Sequence, residues 1–155
     1  MAKKKVTRTK SISNRRARHD YELHDGLIVG IALSGAETKS LRRGHGQLRG
    51  AYVTVKEGEL WLINATITGD AGINIPESEQ TRARKLLAKR KEIDELIASK
   101  QQGQTIVPLE ILTRGRYIKV RIAAGRGKKL YDKRQDLKKK AEQRSIDSAL
   151  KHAKI

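Results

Sequence analysis

A chain of 155 residues has room for one compact domain with tails. With no cysteine it has neither a disulfide scaffold nor a thiolate metal site, and with no Phe and one Trp it does not rely mainly on aromatic stacking to hold a ligand. Its net charge of +18 is concentrated at the ends: +8 over residues 1–18, +7 over 126–155 and +3 between them.

Basic ends of this kind neutralise phosphates and release counterions. A membrane-seeking segment would carry an apolar face beside its charge, and residues 1–18 have none. The basic start at residues 1–10 leads into no apolar stretch, so no signal sequence is expected, and there is no run of about 20 apolar residues. The expectation is a cytoplasmic nucleic-acid-binding protein without a membrane partner.

Residues 1–13 are short, basic and poor in apolar groups, and are expected to form a disordered arm. Tyr21–His24 reads as a strand that turns at Asp25-Gly26 into a second strand, Leu27–Leu33. A short helix is expected from Ala36 to Arg43, ended by Gly44. Ala51–Lys56 alternates, and Glu57-Gly58 turns it into Leu60–Ile63. A longer helix is expected from Thr81 to about Lys100, with Leu86, Ile93, Leu96 and Ile97 on one face and Gly103 closing the run.

Ile106–Leu112 follows as a strand. Its Pro108 belongs at an edge or a bulge, because it has no N–H for the ladder. After Arg114-Gly115-Arg116, the segment Ile118–Ile122 alternates between an apolar and a basic face. The tail from Lys133 is Lys-rich. Its Ile146, Ala149, Leu150 and Ala153 fall at helical spacing, a weak stripe that needs a surface to pack on. The fold class is therefore mainly β: a small closed antiparallel barrel of OB type with inserted helices, a sandwich being the alternative. The expected divisions are an arm at 1–13, a barrel at 14–132 and a basic tail at 133–155, disordered or helical.

Catalytic and metal patterns are missing. Gly125-Arg126-Gly127-Lys128-Lys129 is not a phosphate loop, since Ile122 stands where the first Gly belongs and Lys129 where Ser or Thr belongs. His19, His24, His45 and His152 are scattered without ligand spacing. Carboxylates form no evident acid–base set and no nucleophile motif occurs. Neither an enzyme nor a cofactor is expected.

Four blocks carry a resemblance. They are 14–21 (Asn-Arg-Arg-Ala-Arg-His-Asp-Tyr), 30–42 (from Gly30-Ile31 to Leu41-Arg42), 81–87 (Thr-Arg-Ala-Arg-Lys-Leu-Leu) running on to 92–96, and 125–134 (Gly-Arg-Gly-Lys-Lys-Leu-Tyr-Asp-Lys-Arg). In this order and spacing the chain resembles the SsrA-binding protein family (small protein B), the tmRNA-binding proteins of trans-translation.

The resemblance implies an OB-like barrel with no catalytic activity, acting as a monomer with RNA partners. The body would bind the tRNA-like domain of tmRNA. The tail would enter the empty messenger channel of a stalled ribosome and become helical against small-subunit rRNA. By position, Asn14, Arg15, Arg16, Arg18, His19, Arg82, Arg84, Lys85 and Leu87 would lie on the tmRNA face. Lys128, Lys129 and Tyr131 would approach the decoding centre, with Tyr131 stacking on a base or packing at the barrel edge. Lys133, Arg134, Ile146, Ala149 and Leu150 would contact the channel. Glu37 suits an ion pair or helix cap better than an RNA contact, and Leu86 suits the core.

Several positions depart from the family pattern. Glu79-Gln80 replaces an Asp-Pro, His45-Gly46-Gln47 lacks a usual Asn, residues 69–78 differ, and Ile28 stands where a carboxylate thought to touch RNA is usual. The other reading of these features is an OB protein of ribosomal or initiation-factor type that binds rRNA.

Overall fold

Alternating apolar residues decide where this chain extends. The structure, a computed structural model, describes residues 11–24, 26–128 and 130–153, the backbone alone for 130–132 and 149–153. In chain order the elements are β1 (Ile12–Ser13), α1 (Ala17–Asp20), β2 (Tyr21–Leu23), β3 (Leu27–Ile31), α2 (Gly35–Arg42), β4 (Gly46–Gln47), β5 (Tyr52–Lys56), β6 (Glu59–Ile63), β7 (Thr66–Ile67), α3 (Glu77–Gln80), β8 (Arg84–Leu87), α4 (Arg90–Gln101), β9 (Thr105–Leu112), β10 (Lys119–Gly127) and α5 (Leu130–Ala153).

Strands β9, β5, β6, β8, β3 and β10 pair in that order, and β10 pairs back onto β9. Every pairing is antiparallel, so six strands close an OB-like barrel. Closure removes the open edges a sheet of this size would expose. β1 extends the pairing of β9, and β2 extends that of β10. The interior is aliphatic: Val29, Val53, Leu60, Leu62, Leu86, Ile106, Ile111, Val120 and Ile122 are all buried, joined by Leu41 from α2 and by Ile93 and Leu96 from α4. Burying such a side chain contributes about 1.5–3 kcal/mol. Many small contributions stand in for the missing Phe.

The β5–β6 turn takes left-handed φ at both central residues, 53° at Glu57 and 74° at Gly58, as a two-residue hairpin requires. Pro108 sits beside a bulge: Arg121 pairs with Glu110 but Ile122 pairs with Pro108, leaving Leu109 as the extra residue of β9.

Three expectations are corrected. β2 and β3 do not form a hairpin; both lie along β10, Leu23 opposite Gly125 and Leu27 opposite Ile122. Gly125 is indispensable to that pairing, since a Cβ there would sit 2.2 Å from the Glu22 carbonyl oxygen. The helix expected over 81–100 is split. Arg84–Leu87 is strand β8, with Arg84 and Leu86 buried two residues apart, and α4 begins only after Lys89, whose N–H donates to Glu92 Oε1 at 3.2 Å. The arm expected over 1–13 already enters the sheet at Ile12, opposite Ile111; residues 1–10 lie outside the described residues.

Candidate nucleic-acid interface

Residues 14–20 are fixed to the bulge of β9. The Asn14 N–H donates to the Leu109 carbonyl at 2.7 Å, and Asn14 Nδ2 donates to the Pro108 carbonyl at 3.0 Å. Ala17 packs with Val107, Leu109 and Ala123 in a small cluster outside the barrel. With Ala17 inward, Arg15, Arg16 and Arg18 are exposed and His19 is half-buried. Among the described residues none of these three guanidinium groups meets a carboxylate. Asn14 thus anchors the turn, and the arginines are its charged surface.

The block at 125–134 meets this turn. The Lys128 N–H donates to the Asp20 carbonyl at 2.8 Å, and Lys128 Nζ donates to the Arg18 carbonyl at 3.0 Å. Lys128 also pairs with Asp136, while Lys133 Nζ lies 3.2 Å from Asp20 Oδ1. The hydrogen bond from Lys128 holds the Asp136 carboxyl below the usual range. Two lysines expected to face the ribosome therefore first tie α5 to α1. The helix starts at Leu130, three residues before the expected tail boundary. From Leu137 to Ser148 every side chain is exposed, Ile146 included, and so is Arg134. Lys129 lies outside the described residues, as do the side chains of Tyr131, Ala149 and Leu150.

The block at 81–87 divides in two. Arg84 is 0% exposed and cannot touch a ligand, which corrects its placement on the RNA face. Its Nε donates to Glu37 Oε2, and its Nη atoms donate to the carbonyls of Ala65 (2.7 Å), Gln80 (3.0 Å), Arg82 (3.2 Å) and Glu79 (3.3 Å). One guanidinium thereby ties α2 to the end of β6–β7 and to the approach to β8. Glu37 also closes the capping box of α2, exchanging hydrogen bonds with Ser34, and pairs with Arg82. Burial pushes its carboxyl up, but hydrogen bonds from Ser34, Arg82 and Arg84 and the charge of Arg84 outweigh it, so the group lies below the ordinary range. Arg82 is half-buried, Lys85 Nζ is 2.9 Å from Glu59 Oε1, and Leu87 is 53% exposed.

Arg121 joins the separated blocks, and sequence reasoning saw it only as one basic residue on an alternating strand. On the outer surface Arg121 Nη1 lies 3.0 Å from Glu110 Oε1 and stands in register with Ile28. The next outward position of β3, Gly30, lies opposite Leu87. Arg18, His24, Ile28 and Arg121 line one open cavity of about 710 Å³. Ile28, Lys85, Leu87 and Lys119 line a second of about 570 Å³. Ile28 is the shared wall, so the surface runs without a break from α1 to β8. Among the described residues no three His, Cys, Asp or Glu side chains gather as a metal site, and no helix is long and apolar enough to cross a membrane.

The model of the SmpB protein family matches residues 11–152. The chain belongs to the SmpB family. An SsrA-binding protein of Roseiflexus sp. (strain RS-1) is 46% identical over 143 residues, covering 89% of each chain. One from Trichormus variabilis is 45% identical over 141 residues, 90% of this chain and 91% of its own. A chain of a solved structure described as "tmRNA-SmpB: a journey to the center of the bacterial ribosome" is 40% identical, with a TM-score of 0.64 over 88% of this chain and 96% of that one.

Within this SmpB fold, Ile28 is 46% exposed and points out of the barrel. Ile28→Glu is therefore expected to change folding stability by no more than about 0.5 kcal/mol, because the new carboxylate reaches solvent and Arg121. RNA affinity is expected to rise by at most about one to two orders of magnitude, as a charged hydrogen bond contributes about 1.5–3 kcal/mol at best. Thermal melting and RNA titration of the same variant check both. A loss of several kcal/mol would place residue 28 in the core instead.

Proposed function

We propose that this protein binds the tRNA-like domain of tmRNA and delivers it to stalled ribosomes for trans-translation. The observation that carries the reading is the unbroken outer surface from Arg18 across Arg121 and Ile28 to Lys85 and Leu87, with exposed Arg15 and Arg16 on the same turn as Arg18. The three arginines of that turn carry charge that no described carboxylate neutralises. Such a surface grips phosphate at long range and the shape of a folded RNA at contact. Asn14 and Arg84 serve it from behind, by holding the turn and the approach to β8. His19 and Arg82 lie at its borders.

The C-terminal part of the chain takes the ribosome. Lys128, Lys129 and Tyr131 sit near the decoding centre. Lys133, Arg134 and the stripe Ile146, Ala149 and Leu150 enter a channel walled by small-subunit rRNA. The protein works in the cytoplasm, binds and positions RNA rather than transforming it, and needs no cofactor.

Titrating the tRNA-like domain and an unrelated tRNA at several salt concentrations tests this. Affinity is expected to fall steeply with salt and to favour the tRNA-like domain throughout. Replacing Arg15, Arg16 and Arg18 together with Ala is expected to flatten the log–log salt slope by about 2 to 3, close to one for each lost phosphate contact. Salt-independent binding, or equal affinity for both RNAs, contradicts the proposal.

A further inference from the structure

A third cavity, of about 430 Å³, borders α1 as the first does, but its walls are different residues. Its walls include Arg16 and Tyr21 from the first block, Thr105 and Val107 from β9, and Arg49 and Tyr52 from the turn into β5. That turn is built for display. The Ala51 N–H donates to the Leu48 carbonyl at 2.9 Å, and Gly50 takes a φ of 77°, the left-handed third position of a type II turn. Arg49 is left exposed at the tip. Tyr52 follows on the outer face because Val53, its neighbour on β5, fills the core. Tyr52 is 42% exposed.

Charge and shape select the occupant. Arg16 and Arg49 meet no carboxylate among the described residues. The one acidic wall, Asp20, is already 3.2 Å from Lys133 Nζ. The cavity therefore offers two free guanidinium groups beside an open aromatic face. Tyr117 is more exposed but does not offer the same, since the Arg116 guanidinium lies 5.7 Å from its ring centroid. A volume of this size lies within the range of small-molecule pockets. Flat bases stack on such rings while their phosphates meet arginine.

We propose that this cavity binds one unstacked nucleotide of the RNA held by the protein, its base on Tyr52 and its phosphate between Arg16 and Arg49. The proposal rests on the RNA-binding reading above. It adds a site outside the four sequence blocks, because neither Arg49 nor Tyr52 belongs to them.

The test uses the full chain with the tRNA-like domain carrying 4-thiouridine. Irradiation followed by peptide mapping is expected to place a nucleotide adduct on the tryptic peptide spanning residues 50–56. Tyr52→Ala is expected to weaken RNA binding between about fivefold and a hundredfold, the range seen when one stacking side chain is removed. Tyr52→Phe keeps the ring and should stay within about twofold, and Arg49→Ala should weaken binding with a reduced salt slope. Thermal melting identical to the parent's shows that the variants are folded. If Tyr52→Ala binds RNA like the parent, or the adducts map only to other peptides, the cavity is not a nucleotide site, and the wider function stands. An acidic peptide that displaces no RNA yet loses its binding in Arg49→Ala would also overturn the assignment. A parent protein that binds no RNA overturns both readings at once.

Discussion

Arg84→Ala is expected to cost about 3–5 kcal/mol of folding stability, the usual penalty for leaving a buried charge without its partner. The orphan would be Glu37, which is buried with Arg84. Four backbone carbonyls would lose their donor as well. For a domain of this length the melting temperature should drop by roughly 10 °C. Arg84→Lys should recover little, since one ammonium cannot reproduce a planar fork that reaches five acceptors. Because Arg84 never reaches the surface, whatever RNA affinity is lost should return at temperatures where the variant is fully folded. A denaturation curve shifted by less than about 1 kcal/mol would show that the pair is not the brace described here.

The same pair makes a pH prediction. The folded-state Glu37 carboxyl lies below the 4.5 of an unperturbed Glu. A group depressed by folding contributes stability that is present above its unfolded value and is lost as pH falls through its folded value. The parent should therefore lose stability on acidification below about pH 4.5 more steeply than Glu37→Gln, and the two should be compared by urea melts across that window.

Ending the chain after Leu137 is expected to abolish peptide tagging on stalled ribosomes and to leave RNA affinity within about threefold of the parent. The reason is geometric. Side chains from Leu137 to Ser148 are all exposed and support nothing in the barrel. Stopping there keeps both ties of α5 to the body, Lys133 to Asp20 and Lys128 to Asp136. Ile146→Asp combined with Leu150→Asp should lower tagging more than tenfold while keeping every basic residue. If that double variant tags normally and neutralising Lys138, Lys139 and Lys140 does not, the tail acts through charge alone. Loss of RNA binding on truncation would mean that body and tail have been assigned the wrong roles.

Much of the barrel could be read from alternation. β5, β6 and β9 fall within one residue of their expected ends, and the bulge beside Pro108 follows from its missing N–H. Pairing partners were not readable in the same way. Asp25-Gly26 has hairpin chemistry, yet β2 and β3 both bond to β10, because a long neighbouring strand satisfies more backbone groups than a local turn. The segment 81–100 misled for a different reason. Leu86 and Ile93 are seven residues apart, a spacing that suits two helical turns but also a strand followed by a helix.

Arg84 shows the limit for single residues. Next to Arg82 and Lys85 it looks like part of a basic patch, and only the fold shows that its side chain turns inward to Glu37. Glu37 itself could be placed from sequence, since Ser34 three residues before it forms a capping box. Arg121, which links the separated blocks, had no local signature beyond alternation. Its position depends on which strands lie beside β10.

Recognition of one RNA species by the basic surface around α1 can be read from what the protein carries in cells. The most direct measurement is to purify the protein from cells under physiological salt and sequence the RNA that comes with it. tmRNA is expected to dominate for the parent and to fall sharply for the variant lacking Arg15, Arg16 and Arg18. A mixture of rRNA fragments, equally abundant in both preparations, would contradict it.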